Sequence, residues 1–170
     1  MLAGAVTGLL LVAFGRSMQS TPEEAAAVVP KSIGIPSIDV EAPLMKLGLK
    51  DGEVELPPYE KPKVAGWYTR SAVPGEKGAS VIVGHVDTKT EPAVFYKLRH
   101  VRKGALVKVE RSDGKVATYK ITAVEQVHKD AFPLRRVYVD DGLKLVTCGG
   151  DFDHAKGEYV DNIIVYASRA

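Results

Sequence analysis

The chain carries one cysteine, Cys148, and one tryptophan, Trp67, among 170 residues. A single thiol excludes an internal disulfide framework and any zinc centre built from several thiolates. The four histidines are scattered without ligand spacing, so no histidine-based metal site and no cofactor is expected. Isolated acids such as Glu91 and Asp151 do not supply the roughly six to eight oxygens that calcium takes. No charge of one sign dominates either: 23 basic against 21 acidic side chains leave a formal +2. A nucleic-acid partner asks for a concentrated basic stripe. The densest run, KLRHVRK at Lys97–Lys103, is interrupted by Leu98 and Val101 and reads as a solvated loop or edge.

Long apolar runs are also scarce. Leu2–Gly15 (LAGAVTGLLLVAFG) is uncharged and apolar until Arg16. It is shorter than the roughly 17–25 residues of a helical membrane span, and no basic flank precedes it. Two readings stay open: the end of a membrane anchor whose upstream part is missing, or a buried apolar helix. The anchor, residues 1–16, is the favoured one, because the segment runs into a linker rather than a core. That linker, Ser17–Lys31, is polar, alanine-rich and bounded by Pro22 and Pro30. Residues 32–170 are left for a single globular domain.

What is present in that domain is a series of short strands between turn residues. Ser32–Ile38 alternates apolar and small residues, and Pro43, Pro57, Pro58, Pro62 and Pro74 assign the next stretch to loops. Ala79–Val83 (ASVIV) is continuously apolar, as a strand buried on both faces would be. Ala105–Arg111 and Val116–Val124 flank Ser112-Asp113-Gly114, a hairpin signal. Leu143–Cys148 and Asn162–Ala167 complete the set, and Ala93–Leu98 is the one helical candidate inside the domain. This pattern predicts an all-β barrel or sandwich with few helices.

Two of the apolar runs end in reactive side chains. ASVIV leads into Gly84-His85, and LKLVT leads into Cys148-Gly149-Gly150. If the two strands lie side by side and parallel, His85 and Cys148 emerge together at the rim of the sheet. That pair suits thiol chemistry, with a thiolate nucleophile and an imidazole that takes or gives the proton. Gly149 and Gly150 would let the backbone turn sharply and leave room for an extended peptide. An activated thiol of this kind is expected to alkylate faster than free cysteine near neutral pH. The alternative for Cys148 is a small buried hydrophobe, and for His85 a hydrogen-bonded surface residue. Asp87 is either an orienting carboxylate or a turn former. Trp67 either lines a groove or anchors the core.

The segments GHVDT (Gly84–Thr88), AVFYKL (Ala93–Leu98), LVTCGGDFD (Leu145–Asp153) and YVDNIIVYA (Tyr159–Ala167) resemble those of sortases, most closely the class F group of actinobacteria. The resemblance spans about Ser32 to the C-terminus. The Thr147-Cys148 pair matches the family's TLxTC signature, with Lys144 in place of its first threonine. It implies an all-β, closed eight-stranded barrel with one or two short helices, preceded by an N-terminal apolar helix. It further implies a membrane-anchored transpeptidase on the outer face of the cell membrane. Cys148 would attack the threonine carbonyl of an LPxTG-like sorting signal of a secreted surface protein. His85 would protonate the leaving amine, and a cell-wall or peptidoglycan-precursor amine would resolve the thioacyl-enzyme. Thr147, Gly149 and Gly150 would contact the peptide.

The family's third residue is an arginine on the last strand, and alignment puts Asn162 there. An Asn162 side-chain amide can serve an oxyanion hole. Arg136, with Arg135, in the FPLRRVY loop is the nearest basic alternative, and His154 is a further one. Two other functions remain open: a thiol peptidase in which water resolves the acyl-enzyme, and an inactive membrane-tethered binding module. An L,D-transpeptidase is disfavoured because Thr147, not glycine, precedes the cysteine.

Overall fold

The computed structural model describes residues 27–170, so the expected anchor and most of the linker lie outside the described residues. The described residues form ten strands: β1 (Pro30–Ile35), β2 (Val40–Leu47), β3 (Leu49–Lys50), β4 (Glu53–Val54), β5 (Ala65–Tyr68), β6 (Ala79–Val83), β7 (Leu106–Arg111), β8 (Val116–His128), β9 (Gly142–Asp153) and β10 (Glu158–Arg169). Eight of them close into a barrel in the order β1-β2-β5-β6-β9-β10-β8-β7, while β3 and β4 form a separate two-stranded ribbon. The expectation of a closed eight-stranded barrel is met. Among the described residues, no helix is long and apolar enough to cross a membrane.

The hairpin between β7 and β8 turns at Gly114, whose φ of 78° suits glycine. Its Asp113 carboxylate accepts from the Lys115 N–H and from Arg111. Pro43, assigned to a loop from sequence, lies inside β2 opposite Ser32. It precedes Leu44–Leu47, the stretch that pairs with β5, so β2 has only one neighbour there and a missing N–H is tolerated. Ala93–Leu98 forms turns that lead into a 3₁₀ turn at Leu98–His100 rather than a helix. Its periodicity reflects anchoring: Ala93, Val94, Phe95 and Leu98 are all buried. Among the described residues the one α-helix, α1 (Leu134–Tyr138), falls in FPLRRVY, which sequence alone read as a loop.

One cluster of buried side chains draws from all eight barrel strands, including Ile33, Trp67, Ile82, Tyr119, Leu145 and Val165, and is the barrel interior. Trp67 is therefore a core anchor, its indole N–H donating to the Ala72 carbonyl at 3.1 Å. A second cluster lies on the outer face of the same wall, where Val81, Val83, Val146, Ile164 and Tyr166 pack with Val137 of α1. Strand side chains alternate between faces, and β6 is buried throughout because both of its faces are covered; its one polar side chain, Ser80, donates to the Ala72 carbonyl at 2.8 Å. Gly84, just after β6, is required by close approach: a Cβ there would lie 2.6 Å from Val94 and 2.7 Å from Phe95. Gly84→Ala is expected to cost about 1–3 kcal/mol of overpacking, read as a fall of roughly 5 °C in Tm. An unchanged melting temperature would show that the Phe95 segment yields freely.

Candidate active site

β6 and β9 are parallel neighbours, with Val83 level with Val146. The Gly84 N–H donates to the Val146 carbonyl at 3.1 Å and carries the ladder one residue further. Extended by two residues, the same register sets His85 level with Cys148. Both continue the outward-facing series of Val81, Val83 and Val146, so imidazole and sulfur share one face. The parallel arrangement anticipated from the two strand ends is present. Its location differs from expectation, since β9 does not stop at the cysteine but runs on to Asp153. The pair stands on the outer wall of the barrel instead of at a turn on its rim.

Both lie in a cleft of about 670 Å3. Much of its lining is apolar, supplied by Val54, Leu56, Tyr68, Phe132, Leu134 and Tyr138. Beside the ends of β6 and β9, the lining comes from the β3–β4 ribbon with Leu56, from Tyr68 and Arg70 at the end of β5, and from α1 with the turn before it. His85 is buried at 6% exposure. Its Nε2 donates to the Pro57 carbonyl at 2.6 Å, and its ring stacks on Tyr59 with centroids 4.2 Å apart. A carbonyl only accepts, so Nε2 carries a proton and Nδ1 is the nitrogen left to exchange one.

Cys148 is a half-buried free thiol. Burial pushes it above the ordinary thiol range; the Lys129 ammonium pulls it down, and Glu158 and Asp87 push it up. The resting sulfur therefore favours its protonated form, and a base must take the proton before it attacks. Asp87 does not orient His85: its carboxylate accepts from the Tyr159 hydroxyl, whose own pKa is pushed up to about 12, first by that bond.

Asn162 faces Cys148 directly across the β9–β10 pair, and its side-chain amide donates to the Thr147 carbonyl at 3.3 Å. Thr147 is 2% exposed, and its hydroxyl is buried without a partner, on the same side of β9 as Leu143 and Leu145. Only its backbone is offered to a ligand in the cleft. Gly149 and Gly150 belong to β9 and lie outside the cleft wall. They accommodate a bulge against β10, where the pairing shifts between Tyr159 and Asp161 and Gly150 adopts a φ of 75°. Arg136 is also outside the cleft; it bonds to Glu125 at 2.7 Å and lies over the Tyr166 ring. Arg135 is exposed beside Asp140, and His154 packs edge-on to Phe152.

Sequence reasoning missed the two cations that do line the cleft, Arg70 and Lys129. Neither sits in a local motif. Arg70 follows the end of β5, and Lys129 follows β8, so each arrives only through the strand order of the barrel. No group of ligands able to hold a metal ion occurs among the described residues.

A family model described as the sortase domain matches residues 33–170. No curated protein matches the sequence. Among solved structures, the complex of Streptococcus agalactiae sortase C1 and MTSET is 21% identical with a TM-score of 0.63, covering 82% of this chain and 66% of that one. Sortase C-1 from Actinomyces oris is 22% identical with a TM-score of 0.62, over 82% and 72% of the two chains. Sortase A from Corynebacterium diphtheriae is 22% identical with a TM-score of 0.62, over 84% of this chain and 60% of that one. The chain thus spans less than two thirds of the length of the first and third of these structures. At such identities the likeness is one of fold.

Proposed function

This chain belongs to the sortase family, and on that footing we propose that it is a cysteine transpeptidase, with Cys148 as nucleophile and His85 as acid and base. One observation carries the reading: the β6–β9 register sets an imidazole level with the sole thiol, on one face, inside a cleft with much apolar lining. As a peptide carbonyl meets the sulfur, the thiol proton passes to His85 Nδ1 and a carbon–sulfur bond forms. The carbonyl π pair moves onto oxygen. Collapse of that adduct breaks the peptide C–N bond, and His85 returns the proton to the departing amine. A thioacyl-enzyme remains, and an incoming amine reverses the sequence, losing its proton to His85.

The substrate we propose is an LPxTG-like sorting signal cleaved after its threonine. Apolar lining from Val54, Leu56 and Tyr68 suits the leucine and proline of such a peptide. The acceptor is a cell-wall or peptidoglycan-precursor amine. The GHVDT and TCGG segments support a class F assignment within the family. The apolar Leu2–Gly15 run and the linker after it support a membrane-tethered domain outside the cell. The test is mass spectrometry of the protein incubated with a pool of LPxTG-like peptides. An adduct on Cys148 equal to the peptide through its threonine is expected, lost on adding an amine that appears in the product. Absence of any adduct would count against the assignment, and release by water alone would favour the peptidase reading.

A further inference from the structure

Thiolate attack on a carbonyl builds negative charge on oxygen, and that charge needs donors waiting in place. The groups around the sulfur are poorly disposed to supply them. Asp87 and Glu158 are acidic, and Tyr159 is committed to Asp87. The Asn162 amide is directed at the Thr147 carbonyl. Of the two cations lining the cleft, Arg70 and Lys129, it is Lys129 whose charge acts on the sulfur.

Its position follows from the register. Cys148, Asn162 and Val127 form one row across β9, β10 and β8. Neighbouring strands lie roughly 4.8 Å apart, so Val127 is about 10 Å from Cys148 at the backbone. Lys129 follows two residues later, in the 3₁₀ turn Lys129–Ala131, and its flexible four-carbon stem enters the cleft that holds Cys148, His85 and Asn162. The ammonium is partly shielded, at 32% side-chain exposure, and is held by the Glu158 carboxylate of β10 at 2.7 Å. It is thus a cation tethered to β10 inside the cleft that holds the sulfur, on the side of β9 away from β6.

We propose that Lys129 is a catalytic residue of this enzyme, its ammonium stabilising the Cys148 thiolate and then donating a hydrogen bond to the oxyanion formed on the attacked carbonyl. Glu158 is a positioning residue that holds the ammonium in the cleft and, as a carboxylate, works against the thiolate. The inference rests on the transpeptidase reading for its second half only. The thiolate half concerns this chain's own sulfur and needs no substrate.

The experiment compares wild type, Lys129→Met, Lys129→Arg and Glu158→Gln in two assays. In the first, iodoacetamide alkylation of Cys148 is followed against pH. Lys129→Met should move the profile to higher pH with a several-fold slower rate at pH 7, and Glu158→Gln should move it to lower pH. A purely structural salt bridge would shift both variants the same way. Lys103→Met, an exposed site with the same charge change, separates local from global electrostatics and should leave the profile in place. In the second assay, acyl-enzyme formation with the sorting peptide should fall about 10²-fold in Lys129→Met, with most of the rate restored in Lys129→Arg. Unshifted alkylation in Lys129→Met with an unchanged melting temperature would overturn the proposal, as would unimpaired acylation in that variant. If wild type acylates with no peptide, the transpeptidase reading fails, and the alkylation profiles still judge Lys129 by themselves.

Discussion

Replacement of Cys148 by alanine is expected to abolish acyl transfer while leaving the barrel intact. With the only thiol removed, no other side chain in the cleft can form the covalent intermediate, and losses of about 10⁴-fold or more are the rule when a nucleophile is deleted. The fold should tolerate the change. Cys148 is half-buried, on the cleft side of β9, and trimming one sulfur there removes little apolar contact, on the order of 1 kcal/mol. β9 itself is held between β6 and β10 by pairings that do not depend on the side chain. The measurement is turnover of a sorting peptide beside a thermal melt. Turnover retained in a folded Cys148→Ala protein would end the enzyme assignment, because nothing else in the cleft offers a comparable nucleophile.

Replacement of His85 should be nearly as damaging to catalysis, but the variant must be chosen with the surroundings in view. His85 is almost fully buried, its Nε2 donates to the Pro57 carbonyl, and its ring carries Tyr59. Alanine would leave a buried acceptor unpaired, costing about 1–3 kcal/mol, and would remove the ring on which Tyr59 stacks. His85→Asn keeps a side-chain donor for Pro57 while removing the titrating group. General acid–base assistance is worth about 10²–10⁴-fold, and that loss in kcat/KM is expected. A folded His85→Asn protein with wild-type kcat/KM would remove the imidazole from the mechanism. Loss of activity matched only by loss of folding would point to the clamp on Pro57 and Tyr59 instead.

The two reactive residues were legible because their signals are local. ASVIV before Gly84-His85 and LKLVT before Cys148 are contiguous patterns, and a strand buried on both faces has to read as continuous apolar sequence. The Ser112-Asp113-Gly114 hairpin was legible for the same reason. The roles expected of Thr147, Gly149 and Gly150 were not carried by such signals. A period of two places Thr147 on the interior face as soon as Cys148 is on the outer one. The glycine pair serves a bulge whose existence depends on how β10 pairs with β9. α1 escaped notice because a single turn of helix is set by what it covers, here the outer cluster around Val137, more than by its own five residues.

By itself the sequence determined the strand-rich class and the identity of the one thiol and its nearest apolar strand. These depend on composition and on alternation within a few residues. Tertiary structure alone decided that β6 and β9 run parallel in one register, that the pair faces outward, that Pro57 and Tyr59 close over His85, and that Lys129 and Arg70 supply the charge. Each of these requires strands distant in the chain to become neighbours. Barrel closure, driven by burying one shared apolar interior, selects those neighbours, and no short stretch of residues encodes the choice.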